Sequence, residues 1–170
     1  MKRRIFIAIN LPENIKEELA KYQLKWPELP CRWTKKENLH ITLEFLGYLT
    51  DQDLMEVCQK TRETASRHRP FEVKLNKICY GPPKKLPPRM VWAMGEKIKE
   101  FDLVPHITLA RIKAWQWRQI DPEERPKIEE EINLNFEVNS IEVMESKLKR
   151  GGPEYIILES CAFTSSVSEE

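Results

Sequence analysis

The 170-residue sequence predicts an α+β fold, on three observations. Several short runs alternate apolar and polar residues with the two-residue period of a strand. Two stretches carry the stripe of an amphipathic helix. The tetrapeptide His-Ile-Thr-Leu occurs twice, at residues 40–43 and 106–109, each time at the head of a strand-like run.

Taken in order, Arg3–Asn10 alternates as a strand. Pro12 then opens a helix through about Trp26, with Ile15, Leu19 and Tyr22 on one stripe. Cys31–Thr34 is short and extended, and the first His-Ile-Thr-Leu strand follows. Thr50, with Asp53 three residues on, resembles a capping box, and Leu54, Val57, Cys58 and Thr61 keep helical spacing to about Ser66. Phe71–Cys79 and Arg89–Met94 read as strands joined by the proline-rich loop GPPKKLPP. The second motif strand covers His106–Ile112. After an irregular, tryptophan-rich and charged stretch, Phe136–Glu145 and Tyr155–Thr164 alternate across the turn KRGGP as a closing hairpin. The last residues, SSVSEE, are expected to fray.

Composition narrows the class. With 41% hydrophobic and 32% charged residues the chain has the balance of an ordinary soluble globule. The N-terminus is basic for three residues before an apolar stretch too short for a signal peptide, and no run is long enough to span a membrane, so a cytoplasmic protein is expected. Cys31, Cys58, Cys79 and Cys161 show no C-x-x-C spacing, which indicates neither a zinc site nor a disulfide framework; they are expected reduced and semi-buried. A net charge of +1 supplies no bulk field for long nucleic acid, so any such partner is held locally. Basic clusters stand at Lys35-Lys36, Arg67-His68-Arg69, Lys84-Lys85 and Lys147-Lys149-Arg150, and each taken singly reads as solvated surface.

The repeated motif carries the chemistry. On a strand, His and Thr of each copy point one way while Ile and Leu point into a core. A packing repeat would preserve the apolar positions and let the exposed ones drift; here His40 and Thr42 recur as His106 and Thr108. Two such walls facing one another make a cleft with two groups titrating near neutral pH and two hydroxyl donors, which suits acid–base chemistry on a phosphate without a metal.

The N-terminal strand RIFIAINLP, the paired LHITLEFLG and PHITLARI, and SKLKRGGPEYIIL together resemble the RNA 2',3'-cyclic phosphodiesterases of the two-histidine phosphoesterase superfamily, LigT-like proteins also known as 2'-5' RNA ligases. The resemblance covers nearly the whole chain. It implies one bilobal domain over residues 1–170, with two antiparallel sheets facing a central cleft and helices outside. It also implies opening of a ribonucleoside 2',3'-cyclic phosphate, at an RNA 3' end or on a nucleoside, to a 2'-phosphate, with no metal or other cofactor and no membrane. A monomer is expected. His40 is assigned as the acid that protonates O3' and His106 as the base that activates water, and the reverse assignment stays open. Thr42 and Thr108 become donors to the non-bridging oxygens. Five residues after each histidine, Phe45 is implied to stack on the nucleobase and Arg111 to lie against base or phosphate. On the residues alone, Phe45 in its apolar run fits core packing equally well.

One departure stands out. Only GEKIKEFDLVP separates the Met94 strand from His106, where the family places an amphipathic helix and a loop, so one face of the second lobe's sheet is expected to lose its cover. Two other classes compete with the hydrolase: an RNA-end or oligonucleotide binding module, and a metalloprotein using its histidines as ligands. Binding alone needs no pair of groups titrating near pH 7, and two histidines lack partners at ligand spacing. Within the enzyme class, 2'-5' ligation of tRNA halves is the reverse chemistry and stays open.

Overall fold

The structure, a computed structural model, describes residues 1–164. The elements run β1 (Arg3–Asn10), α1 (Glu13–Tyr22), β2 (Cys31–Trp33), β3 (His40–Leu49), α2 (Asp51–Ser66), β4 (Phe71–Gly81), β5 (Met90–Gly95), β6 (His106–Ile112), α3 (Ala114–Arg118), β7 (Glu129–Val138), β8 (Ser140–Lys149) and β9 (Gly152–Ala162). The strands form a four-stranded sheet, β3-β1-β8-β9, and a five-stranded sheet, β2-β6-β5-β4-β7, and every strand pairing is antiparallel. This is the predicted α+β class. No helix among the described residues is long and apolar enough to cross a membrane.

Both sheets drain into one buried apolar cluster. Ile9 and Ile41 come from the four-stranded sheet, Val73, Leu75, Ile78, Val91, Ile107 and Leu109 from the five-stranded one, and Ile15 and Leu19 from α1. Each such side chain contributes about 1.5–3 kcal/mol relative to an exposed one, which ties the two layers together behind the motif strands. A smaller cluster of Phe6, Ala8 and Met144, with Tyr155 against it, lies apart from this core and next to His40.

Three expectations need correction. The first helix ends at Tyr22, not Trp26: Pro27 disfavours helical backbone at Trp26, and the Gln23 side chain instead donates to the Thr34 and Leu109 carbonyls at 2.9 and 3.0 Å. The run Phe136–Glu145 is not one strand. It is the end of β7 and the start of β8, which lie in different sheets, with Asn139 between them. β7 pairs with β4 through Phe136↔Val73 and Leu134↔Leu75, while the closing hairpin is β8 with β9. Finally, the short link before β6 holds only a 3-10 turn, Lys99–Phe101, yet the sheet's apolar face stays covered. Ile98 is buried, and Phe101 and Leu103 pack against the main cluster, so the link itself partly replaces the helix. An open groove remains beside it, lined by Leu43, Val57, Phe101, Leu103 and Ile141.

Other details agree. The Thr50 hydroxyl accepts from the Asp53 amide at 3.1 Å and caps α2. All four cysteines are free, Cys161 buried and the others half-buried. SSVSEE lies outside the described residues.

Candidate active site

Each motif strand is the neighbour of a strand that backs its histidine with an aromatic ring. β1 pairs with β3, and Phe6 lies 5.1 Å from the His40 ring between centroids. β5 pairs with β6, and the Trp92 indole stacks on His106 at 4.1 Å and 25°. Gly81 makes room for that indole, since a Cβ there would overlap it. Both motif strands also slip register at the same place. Thr42 pairs with Ala8 and Glu44 with Ile7, leaving Leu43 extra; Thr108 pairs with Trp92 and Ala110 with Val91, leaving Leu109 extra. On an unbroken strand a residue five after the histidine would face the opposite side. The single extra residue restores the parity, and so both Phe45 and Arg111 reach the cleft.

The cleft encloses about 210 Å³ and is lined by His40, Thr42, Phe45, His106, Thr108 and Arg111, all six of the residues singled out in the sequence. Phe45 is 70% exposed, which removes the core-packing alternative. Sequence reasoning did not assign Arg32, Trp33, Lys35, Asn38, Gly151, Gly152 and Tyr155 to the site, and these also line the cleft. Lys35 is the one member of the noted basic clusters that lines the cleft. His68 of another cluster packs on Phe101 and Phe163 instead.

His40 is held firmly. Its Nδ1 lies 2.7 Å from the Asn38 carbonyl oxygen, which can only accept, so the proton sits on Nδ1. Nε2 of the neutral ring then accepts from the Thr42 hydroxyl at 2.8 Å. Asn38 is fixed in turn by donating its side-chain amide to the Pro153 carbonyl at 2.8 Å, which joins the closing hairpin to the first motif. Burial lowers the pKa of His40 from its ordinary 6.5; the Asn38 carbonyl opposes this, and the charges of Lys16 and His106 add to the lowering. Lys16 is 7% exposed and donates to the Glu37 carbonyl at 3.1 Å. Burial lowers the pKa of His106 as well. Among the described residues the Thr108 hydroxyl bonds only the Met90 sulfur, at 3.8 Å, and is free to turn toward a ligand.

No carboxylate lines the cleft among the described residues, and nowhere among them do three or more His, Cys, Asp or Glu side chains converge as a metal site would require. Two imidazoles, two hydroxyls and a cationic rim make a site for an anion that undergoes proton transfer.

Known proteins resemble this chain in sequence and in fold. The model of the LigT-like phosphoesterases matches residues 9–92. The RNA 2',3'-cyclic phosphodiesterase of Methanocaldococcus jannaschii is 30% identical over 174 aligned positions, covering 91% of this chain and 98% of its own. The crystal structure of TT0787 of Thermus thermophilus superposes with a TM-score of 0.80 at 26% identity, over 96% of this chain and 100% of that one. E. coli LigT complexed with phosphate gives a TM-score of 0.71 at 26% identity, over 96% and 98%. With the fold, the doubled motif and the near full-length match to a relative in agreement, the chain belongs to the family of LigT-like phosphoesterases.

Proposed function

We propose that this protein is an RNA 2',3'-cyclic phosphodiesterase that opens the cyclic phosphate to a 2'-phosphomonoester without a metal. The observation that carries the reading is the facing pair of imidazoles, each two residues from a hydroxyl, in a cleft whose described lining has no carboxylate. The name of the Methanocaldococcus relative and the phosphate bound to E. coli LigT support it.

In the proposed reaction the cyclic phosphate sits between the histidines. His106 takes a proton from water, whose oxygen attacks phosphorus in line with O3'. The P–O3' bond breaks as His40, protonated for this step, delivers its Nε2 proton to O3'. The Asn38 carbonyl holds the other ring proton throughout, so the ring cannot turn away. Thr42 exchanges its bond to His40 for one to a non-bridging oxygen, and Thr108 donates to the other, where charge accumulates in the transition state. The exposed Phe45 ring offers a stacking surface indifferent to base identity, and Arg111 lies against base or phosphate.

The test is incubation with a nucleoside 2',3'-cyclic phosphate in EDTA, followed by identification of the product. Conversion to the 2'-phosphate is the expected result. Turnover that returns only with added divalent ions overturns the metal-free mechanism, and a 3'-phosphate product reverses the assignment of the leaving oxygen.

A further inference from the structure

The rim of the cleft carries two cations that the reaction above does not use, Arg32 and Lys35. Arg32 on β2 is the direct cross-strand partner of Arg111 on β6, and both line the cleft. Like charges opposite one another destabilise a sheet, and no carboxylate pairs with either among the described residues. Lys35 likewise has no carboxylate partner among them, whereas its neighbour Lys36 is paired with Glu13 at 2.9 Å and Lys149 with Glu154 at 3.6 Å. The turn of the closing hairpin brings two glycines to these head groups. A Cβ at Gly152 would lie 3.6 Å from the Arg32 guanidinium carbon, and one at Gly151 would lie 3.6 Å from Lys35 Nζ. The hairpin therefore passes close to both cations at its glycines, and its Glu154, which shares a surface pocket with Lys35, is ion-paired with Lys149 instead.

Position decides what the cations serve. Along β5, the partner of His106 is Met94 and that of Arg111 is Met90, so the two cleft residues stand four strand positions apart, roughly 13 Å. Arg32 lies level with Arg111. A single phosphate held between the histidines does not span that distance, whereas an RNA chain carries a second anion one phosphodiester further on. We propose that Arg32 and Lys35, left uncovered by Gly151 and Gly152, form a second anion subsite for the phosphodiester that precedes the terminal nucleotide. The enzyme then favours RNA oligonucleotide ends over free nucleoside cyclic phosphates. This rests on the function proposed above.

The experiment compares kcat/KM for a nucleoside 2',3'-cyclic phosphate with that for a dinucleotide ending in the same group. The wild-type ratio is expected to favour the dinucleotide by about tenfold, the usual worth of one charge-assisted contact. Its kcat/KM should also fall more steeply with salt, by roughly 0.7 in log–log slope for one further phosphate. Arg32→Ala and Lys35→Ala should each move the ratio toward one. So should Gly151→Asp, which adds a carboxylate beside Lys35 at a position with no left-handed backbone and removes no cation. Equal use of both substrates by the wild type, or variants that reduce both equally, overturns the subsite and leaves the phosphodiesterase reading standing. If neither substrate is hydrolysed, that reading fails, and the subsite is judged by dinucleotide affinity, read from the fluorescence of Trp33 in the cleft. Arg32→Ala must then weaken the dinucleotide more than the mononucleotide, and equal weakening overturns the subsite.

Discussion

At the scale of single residues, the two histidines differ more in their surroundings than the repeated tetrapeptide suggests. His40 is hydrogen-bonded at both ring nitrogens, whereas His106 rests on the Trp92 face. His40→Ala and His106→Ala are each expected to lower kcat by about 100- to 10,000-fold, the range for a positioned acid or base. Steady-state kinetics on the folded variants checks this, and near-normal turnover in either removes that histidine from the mechanism. Because burial lowers both pKa values from 6.5, kcat/KM for the mononucleotide should trace a bell whose maximum lies on the acid side of 6.5. The substrate's negative charge favours both imidazolium forms, so the kcat bell should move to higher pH. His106→Ala should lose the acidic limb and His40→Ala the alkaline one. The same shifts govern stability. Below pH 6.5 the unfolded chain binds protons that the folded rings resist, so stability falls as pH drops through 6.5 toward the lower folded values and levels off beneath them. Urea midpoints across that range should fall less steeply in His40→Gln than in the wild type, and an unchanged slope contradicts burial as the cause of the shift.

At the scale of elements, legibility followed the strength of local signals. The motif strands, the Thr50 cap and α2 were readable because their signals are local: alternation, a hydroxyl three residues before an acidic residue, helical spacing. Thr50→Ala tests the cap and should cost about 1 kcal/mol by chemical denaturation, with kcat unaffected; a loss within error means that the 3.1 Å bond to Asp53 is not maintained in solution. Of β7 only the end, from Phe136, reads as strand in the sequence, although Ile132, Phe136 and Val138 are buried with even spacing, because Asn and Glu at the outward positions weaken the strand signal at a sheet edge. The cleft-facing placement of Phe45 and Arg111 had no local signal at all. Simple alternation puts them on the wrong face, and only the register slips at Leu43 and Leu109 reverse that. Arg32, Lys35 and Tyr155 were equally hidden, since what brings them to the site is the pairing of β2 with β6 and the closing of the β8–β9 hairpin over the first motif.

At the scale of the whole molecule, the chain order shows that neither sheet is a contiguous segment. The four-stranded sheet takes β1, β3, β8 and β9, while β2 and β4 through β7 build the other. Its core is also shared, with Ile9 and Ile41 in the same cluster as Ile107 and Leu109. Such interleaving predicts that the lobes unfold together as one cooperative unit. The tryptophans allow a direct test, because Trp26, Trp33, Trp92, Trp115 and Trp117 all lie outside the four-stranded sheet. Ile9→Ala, on β1 in that sheet, removes a side chain only 1% exposed and should cost about 2–5 kcal/mol. In a urea titration the tryptophan fluorescence midpoint of this variant should fall as far as the midpoint from far-ultraviolet circular dichroism, with the two curves superimposed. Independent lobes would leave the fluorescence midpoint at its wild-type value while the dichroism split into two steps. That outcome would also separate the histidines onto two bodies free to move, and the acid–base geometry would then have to be assembled by the substrate rather than by the fold.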